Sequence, residues 1–389
     1  MTNIVSLIIL IFFSFILSFG IFDPIFGTGS AFGLVDLFAI LLVATSFSLN
    51  FKVIVKRLDR NVIYLFLLLF FLFFSSVIYG DSTQNKNIFN FKLLVMILLY
   101  MALFFKFKIN PISIHYSLLA FSVGVVFFVI LVNTLYSSEV IISKGRLFVF
   151  DENPNSTSAR FTLAAIYLIY ISIYDPFKSV TLRYMSFLSS LPVMYVVLQS
   201  GSRGSVLSLA ISLIILLYLS DFKKKYKVFF SLLLGVISPY VFHVFMNAGS
   251  IAERFNDAIS EGGFGARDEI WTSALAIFLN NPIFGVGEPG YLQEMMKSTG
   301  RAVDAHNLPL YILASGGLIS FALFLFFYKK IVVRSYYLLL NRDVLPLILL
   351  INITLIALKT GGVLTYSIMW FIFAIVSAYP LRGTNSSRS

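Results

Sequence analysis

The sequence predicts an all-α, polytopic integral membrane protein. Hydrophobic residues make up 59% of the 389 residues and charged residues only 12%, whereas soluble domains average about 25% charged residues. Apolar segments of about 20 residues, the length that crosses a bilayer, recur along the chain. Lys and Arg collect in alternate loops between those segments. We therefore expect one transmembrane domain over residues 1–389.

The apolar segments predict about twelve transmembrane helices. The first lacks the basic flank and cleavage site of a signal peptide, so we interpret it as a retained helix. The last two are short, and a tilted or re-entrant pair is the alternative to two full crossings. The predicted spans are residues 3–22, 32–50, 61–79, 91–107, 113–135, 158–174, 184–200, 204–220, 228–246, 306–328, 344–358 and 361–379.

Charge in the loops predicts the orientation. If the N-terminus lies inside, the inner segments hold 18 of the 29 Lys and Arg residues but only four of the 18 Asp and Glu residues. Positive loops stay in the cytoplasm, so both termini are expected there. The net charge of +11 then reflects topology. Nucleic-acid binding would need a basic patch beyond these short loops, and the sequence shows none. The inner segments are residues 51–60, 106–112, 175–183, 221–227, 329–343 and the tail from Pro380.

Two substantial loops are expected on the outer side, a smaller one at residues 136–158 and a large one at 247–305. In the large loop, residues 268–280 place apolar side chains at helical spacing but are too short to span. This predicts an amphipathic helix at the membrane interface. Asn281 and Pro282 end that helix. Three glycines, Gly285, Gly287 and Gly290, then predict a loop that needs positive φ or a close backbone approach.

Arginines on the outer side are the first candidate functional residues, because a guanidinium binds phosphate through two parallel hydrogen bonds. Arg203 lies in a short turn between two apolar spans, where an ionisable residue is a functional candidate. Its small neighbours would let a phosphate approach the next helix N-terminus. The alternative for each arginine is an ion pair or contact with lipid phosphate. The set is Arg146, Arg160, Arg203, Arg254, Arg267 and Arg301.

His306 is the second candidate, at the outer mouth of a predicted span. A neutral imidazole can take a proton from an attacking hydroxyl, and a carboxylate such as Asp304 can orient it. His115 and His243 lie within or near apolar spans and are expected to be structural. The chain has no Cys and three His, without HxH or HExxH spacing, so no metal site is predicted. The sequence also has no nucleotide-binding motif, which argues against an ATP-driven pump.

Three motifs between Gln199 and Ser320 resemble those of the bacterial O-antigen ligase and O-antigen polymerase superfamily, and the topology resembles it over most of the chain. They are SGSRGSVLSL, GARDEIW followed by NNPIFGVGEPGY, and HNLPLYILASGGLIS. The family's ligases carry His, then Asn, Ser or Gln, nine residues, and G-x-x-G. His306, Asn307 and Gly317 match this pattern, and Ser320 replaces the second Gly.

The resemblance implies a GT-C-type inverting glycosyltransferase that needs no metal or cofactor. It would lie in the bacterial inner membrane with its active site facing the periplasm. The donor would be an oligosaccharide on undecaprenyl pyrophosphate, and the acceptor a glycan or lipid A-core. A chain-length regulator and membrane lipids would be further partners. Arg203 and Arg267 would hold the pyrophosphate with Arg301 as accessory, and His306 would be the base, supported by Asp304 and Asn307.

Several functions remain open at this point. Ser320 favours a polysaccharide polymerase over a ligase that transfers glycan to lipid A-core. Relatives that glycosylate protein usually carry extra outer-side sequence after the last spans. A transporter or flippase of a lipid-linked or anionic solute also fits twelve spans, but it predicts interrupted helices in both halves. A scaffolding protein would not require Arg203 in a tight turn.

Overall fold

A computed structural model describes residues 2–19, 33–56, 61–79, 90–143, 146–150, 152–219, 266–359 and 364–381. These parts contain thirteen α-helices and one antiparallel hairpin, which confirms the all-α class. The helices are α1 (Thr2–Phe19), α2 (Leu34–Lys56), α3 (Asn61–Tyr79), α4 (Phe91–Ile109), α5 (Ile112–Thr134), α6 (Pro154–Tyr174), α7 (Val180–Gln199), α8 (Arg203–Leu219), α9 (Ala266–Asn280), α10 (Gly287–Thr299), α11 (Leu308–Leu340), α12 (Leu345–Ala357) and α13 (Ser367–Ala378). The hairpin pairs β1 (Val140–Ser143) with β2 (Arg146–Val149).

Five of the described helices, α3, α5, α6, α7 and α11, are long and apolar enough to cross a membrane. Shorter apolar helices lie within α1, α2, α8, α12 and α13. The chain is therefore a polytopic membrane protein, but the count of twelve spans is not confirmed. The predicted span at 228–246 lies outside the described residues, and each of the other predicted spans overlaps a described helix.

The short helix α13 lies at the centre of the apolar core. Its Trp370 and Phe373 are 0% and 2% exposed. Trp370 packs against Tyr100 of α4 and Phe327 of α11, with ring centroids 6.2 and 6.1 Å apart. A helix of 12 residues is only about 18 Å long, less than the ~30 Å hydrocarbon core. α13 is thus an internal packing element surrounded by longer helices.

α11 is longer than the sequence predicts. The predicted span ends at residue 328 and is followed by an inner loop at 329–343, whereas the helix continues to Leu340. The prediction of a loop is wrong because Ile331 and Leu338 recur at helical spacing and are buried at 1% and 0% exposure. The basic residues of this stretch therefore lie on a helix.

The predicted amphipathic helix at 268–280 forms α9, which begins two residues earlier. Ile270, Ala274 and Ile277 are spaced along one face and are buried. Leu275 and Leu279 lie on the opposite face and are exposed. α9 packs its buried face on α10 and α11.

The segment after α9 contains a helix that the sequence reading missed. Positive φ is confirmed at Gly285 (67°) and Gly287 (72°), but Gly290 lies inside α10 rather than in a loop. Pro289 suits a first helical turn, where no amide partner is needed. Gly300 ends α10 in the left-handed conformation, which is typical of a helix C-terminus.

Candidate active site at the start of α11

The chain between α9 and α10 docks into an interruption of α11. Gly317 has φ 65° and ψ −169°, which breaks the helix. The Leu318 amide donates to the Pro282 carbonyl at 2.8 Å. A Cβ atom on Gly317 would overlap the carbonyl oxygen of Ile283. Glycine at this position is therefore required by contact between two stretches of the protein's own backbone.

The same junction is fixed from two further sides. The Val286 amide donates to the carbonyl of Ala314 at 3.1 Å. The hydroxyl of Ser75, near the end of α3, donates to the Phe284 carbonyl at 2.5 Å. A Cβ atom on Gly287 would lie 2.5 Å from the Cα atom of Ser76. α3, α10 and α11 thus meet at glycines and serines, and this contact positions the start of α11.

His306 lies in the turn that leads into α11 and is held by Asp304. Its Nδ1 atom lies 2.7 Å from Oδ1 of Asp304, and its backbone amide donates to the same oxygen at 2.6 Å. His306 has a φ of 47°. The side chain of Asn307 accepts a hydrogen bond from the Leu310 amide at 3.1 Å and caps the helix. The Nδ1 contact orients the ring, while the backbone bond and the cap fix the turn that carries it at the mouth of α11.

The contact with Asp304 sets what the imidazole can do. A proton on Nδ1, directed at the carboxylate, leaves Nε2 as a proton acceptor. The His306 and Asp304 side chains are 31% and 27% exposed, so the ring is partly open to the surroundings. This is the arrangement of a general base held by a carboxylate.

α9 contacts the His306 turn through Trp271. The indole Nε1 donates to the carbonyl of Ala305 at 2.9 Å. Arg267 lies one helical turn before Trp271 on the same helix, and it is partly buried. The structure thus brings the helix that carries Arg267 to the turn that carries His306.

Glu288, which the sequence reading did not identify as a site residue, lies at the start of α10. Its carboxylate accepts hydrogen bonds from the Tyr311 hydroxyl of α11 and from the side-chain amide of Asn90, before α4. Burial raises the pKa of the Glu288 carboxyl, and these two hydrogen bonds oppose that shift. One sequence signal could have identified Glu288. It is an acidic residue between glycines, in GVGEPG, with no basic residue beside it.

Tyr291 connects the Glu288 group with the His306 turn. Its ring meets that of Tyr311 edge-on, with centroids 5.2 Å apart, and it is 0% exposed. Burial raises the pKa of its hydroxyl, and the nearby negative charge of Asp304 raises it further. Within the described residues that hydroxyl has no hydrogen-bond partner. The start of α11 is therefore backed by one partly buried carboxyl and two buried tyrosines.

The remaining predicted site arginines lie in separate places. Arg301 is exposed just after α10, and its backbone bonds to the Thr299 hydroxyl. Arg203 is the first residue of α8. The side chain of Lys359 lies 3.3 Å from a Cβ atom built on the next residue, Gly204. The convergence of Arg203 with Arg267 and His306 stays a prediction.

Two other arginines of the predicted outer set have structural partners. Arg160 is 4% exposed and pairs with Glu152 through both terminal nitrogens. Arg146 donates to the Asn155 side chain at 2.9 Å. These contacts hold the hairpin against α6. Arg254 lies outside the described residues.

The fold and this site define a polytopic membrane protein with a carboxylate-held histidine at the mouth of a helix. Among the described residues, no group of three or more His, Asp or Glu lies together as a metal site would require. Residues 187–325 match the family described as O-Antigen ligase. This match supports the resemblance to the O-antigen ligase and polymerase superfamily that the motifs predicted. No curated protein matches it significantly.

Proposed function

We propose that this protein is an inverting glycosyltransferase that polymerises a surface polysaccharide such as O-antigen. It transfers a glycan from undecaprenyl pyrophosphate to a sugar hydroxyl of an acceptor. The observation that carries the proposal is the His306–Asp304 pair at 2.7 Å, inside the region that matches the family.

The reaction begins with removal of the acceptor proton. Nε2 of His306 accepts the hydroxyl proton while the oxygen attacks the anomeric carbon. Asp304 accepts the Nδ1 proton in a hydrogen bond and stabilises the imidazolium that forms. Attack on the face opposite to the leaving group inverts the anomeric carbon. The imidazolium then releases its proton to solvent.

The leaving group takes the electron pair of the broken sugar–oxygen bond as undecaprenyl pyrophosphate. Its charge requires fixed cations, and arginine supplies them without a metal ion. Arg267 is supported in this role by the α9 contact with the His306 turn. Arg203 at the start of α8 and the exposed Arg301 complete the proposed set.

The proposed topology has about twelve membrane segments, the short last two of them a tilted or re-entrant pair, with both termini in the cytoplasm and His306 at the periplasmic face of the inner membrane. The basic inner loops support this orientation. Undecaprenyl-linked glycans are presented at that face, where no ATP is needed for transfer.

A ligase that transfers glycan to lipid A-core is the second candidate. The description of the matching family, O-Antigen ligase, favours it, and the donor side of the reaction is the same. Ser320, in place of the second glycine of the ligase pattern, favours the polymerase. The side chain of Ser320 is fully buried beside Gly316, so this position affects packing below the junction.

Replacement of His306 tests the mechanism. In purified protein reconstituted with a lipid-pyrophosphate-linked repeat unit, we expect His306→Ala to slow transfer about 10²–10⁴-fold, the usual contribution of a general base. Donor binding should be unchanged. Lys297→Gln, at an exposed residue of α10, is the control and should retain full transfer. Wild-type transfer by His306→Ala would exclude His306 as the base.

A further inference from the structure

A cavity lies at the opposite end of α3 and α11 from His306. It has a volume of 510 Å³ between the start of α3 and the second half of α11. Its wall combines three aromatic and three cationic side chains: Tyr64, Phe326, Tyr337, Lys329, Lys330 and Arg334. None of its described lining residues is acidic.

The cations of the cavity are arranged around its aromatic wall. Nζ of Lys330 lies 5.1 Å from the Tyr64 ring centroid, which in turn lies 5.7 Å from that of Phe326. Arg334 donates from Nη2 to the Tyr379 carbonyl at 2.7 Å, which fixes its guanidinium. Within the described part of the chain, Lys329 and Lys330 form no ion pair. Their charge is therefore available to an anion.

The position of the cavity along α11 matches a membrane interface. Lys329 and Lys330 lie 21 and 22 residues after Leu308, about 30 Å along a helix, which is the thickness of a hydrocarbon core. α3 runs antiparallel, since its Ser75 bonds near the His306 end and its Tyr64 lines this cavity. The cavity thus opens where lipid headgroups lie, on the membrane face opposite to His306.

We propose that this cavity binds an anionic phospholipid, with the headgroup phosphate on Lys329, Lys330 and Arg334 and the acyl chains against Tyr64 and Phe326. Charge complementarity selects an anionic headgroup over a zwitterionic one. The aromatic wall selects a lipid over a free anion, because a soluble phosphate gains nothing from apolar surface. The contacts of Gly287 and Gly317 with neighbouring backbone form a glycine junction that holds α3 to α11 at the His306 end. The bound lipid joins the two helices at the other end.

The test compares lipids on the purified full-length protein. Native mass spectrometry and thermal melting are measured with phosphatidylglycerol, with phosphatidylcholine and with inorganic phosphate at equal phosphate concentration. We expect phosphatidylglycerol alone to remain bound and to raise the melting temperature. If phosphatidylcholine binds and stabilises as well as phosphatidylglycerol, the cavity does not select an anionic headgroup and the proposal is overturned. If inorganic phosphate does so equally well, the ligand is a free anion rather than a lipid.

Variants locate the effect. The double variant Lys329→Gln, Lys330→Gln should bind phosphatidylglycerol about thirtyfold more weakly, which corresponds to about 1 kcal/mol for each cation. Lys108→Gln is the matched control, because Lys108 is also an exposed lysine over an aromatic ring, 5.5 Å from the Phe104 centroid, but lies outside the cavity. It should bind as the wild type does. If the double variant misfolds, the single variants carry the test. Undiminished binding by folded variants would overturn the proposal.

Discussion

At the scale of single residues, the unusual group of the site is the partly buried carboxyl of Glu288. Glu288 accepts hydrogen bonds from Tyr311 and Asn90, yet burial still raises the pKa of its carboxyl above its ordinary value. The folded protein therefore binds this proton more tightly than the unfolded chain does. Stability from this group is present at low pH and is lost as pH rises toward the raised folded pKa.

This linkage predicts the behaviour of Glu288→Gln. Glutamine is neutral, as the protonated acid is, so the variant should lose the decline of the melting temperature as pH rises above about 4.3. It should also melt higher than the wild type near neutral pH. Melting curves across pH measure this, with Glu294→Gln as control, since Glu294 is an exposed carboxylate on the same helix. A wild-type slope in the Gln variant would contradict the account.

Some residue-level features were predictable and others were not. His306 and Asp304 are two positions apart, so a contact between them follows from local geometry and was expected. Glu288 bonds to Asn90, which is 198 positions away, and no local pattern encodes that distance. Tyr291 of α10 and Tyr311 of α11 each have the helical spacing of ordinary core residues, so the sequence alone does not mark them as part of the site. Their proximity to Asp304 depends on how α10 packs against α11.

At the scale of elements, the glycine junction determines where the His306 turn sits. α11 is interrupted at Gly317, and the backbone before α10 fills the interruption. A transporter model also predicts interrupted helices, but here the free backbone groups are satisfied by a neighbouring loop. The interruption therefore serves packing beside the site.

Variants at two glycines distinguish this packing role from the effect of backbone conformation alone. Gly317→Ala should cost about 1–3 kcal/mol from its conformation and more from overlap with Ile283. Gly300→Ala also meets a positive φ of 69°, but nothing lies within 4 Å of its new Cβ atom, so about 1–2 kcal/mol is expected. Melting and transfer assays should show the larger loss for Gly317→Ala. Equal losses of stability and transfer in the two variants would contradict a packing role for the contact at Gly317.

Element boundaries show why sequence patterns reached only part of the fold. Residues 61–79 were predicted and observed as a helix with the same ends, because an apolar run between polar flanks is a strong signal. α10 was missed because Gly and Pro at its start also signal loops. The inner part of α11 was missed because the exposed Lys329 and Lys330 and the half-buried Arg334 obscured its buried stripe.

At the scale of the whole molecule, α3 and α11 connect two chemically different ends. The Glu288 and His306 groups lie at one end, and the basic cavity of Lys329 and Lys330 lies at the other. Both helices are long and apolar enough to cross a membrane, and in the proposed topology their two ends face opposite sides of the bilayer. This separation agrees with the proposed orientation, in which the basic face lies inside and the reaction occurs outside.

The function of the whole molecule is tested in cells that lack it. If it is a polymerase, its deletion should leave single repeat units on lipid A-core, because ligation continues without chain growth. If it is a ligase, deletion should leave bare core while glycan accumulates on the lipid carrier. Gel electrophoresis of the surface polysaccharide distinguishes the two, and complementation with wild type and with His306→Ala links either phenotype to the site. Unchanged banding on deletion would exclude both functions, and full complementation by the Ala variant would exclude the mechanism while leaving the function in place.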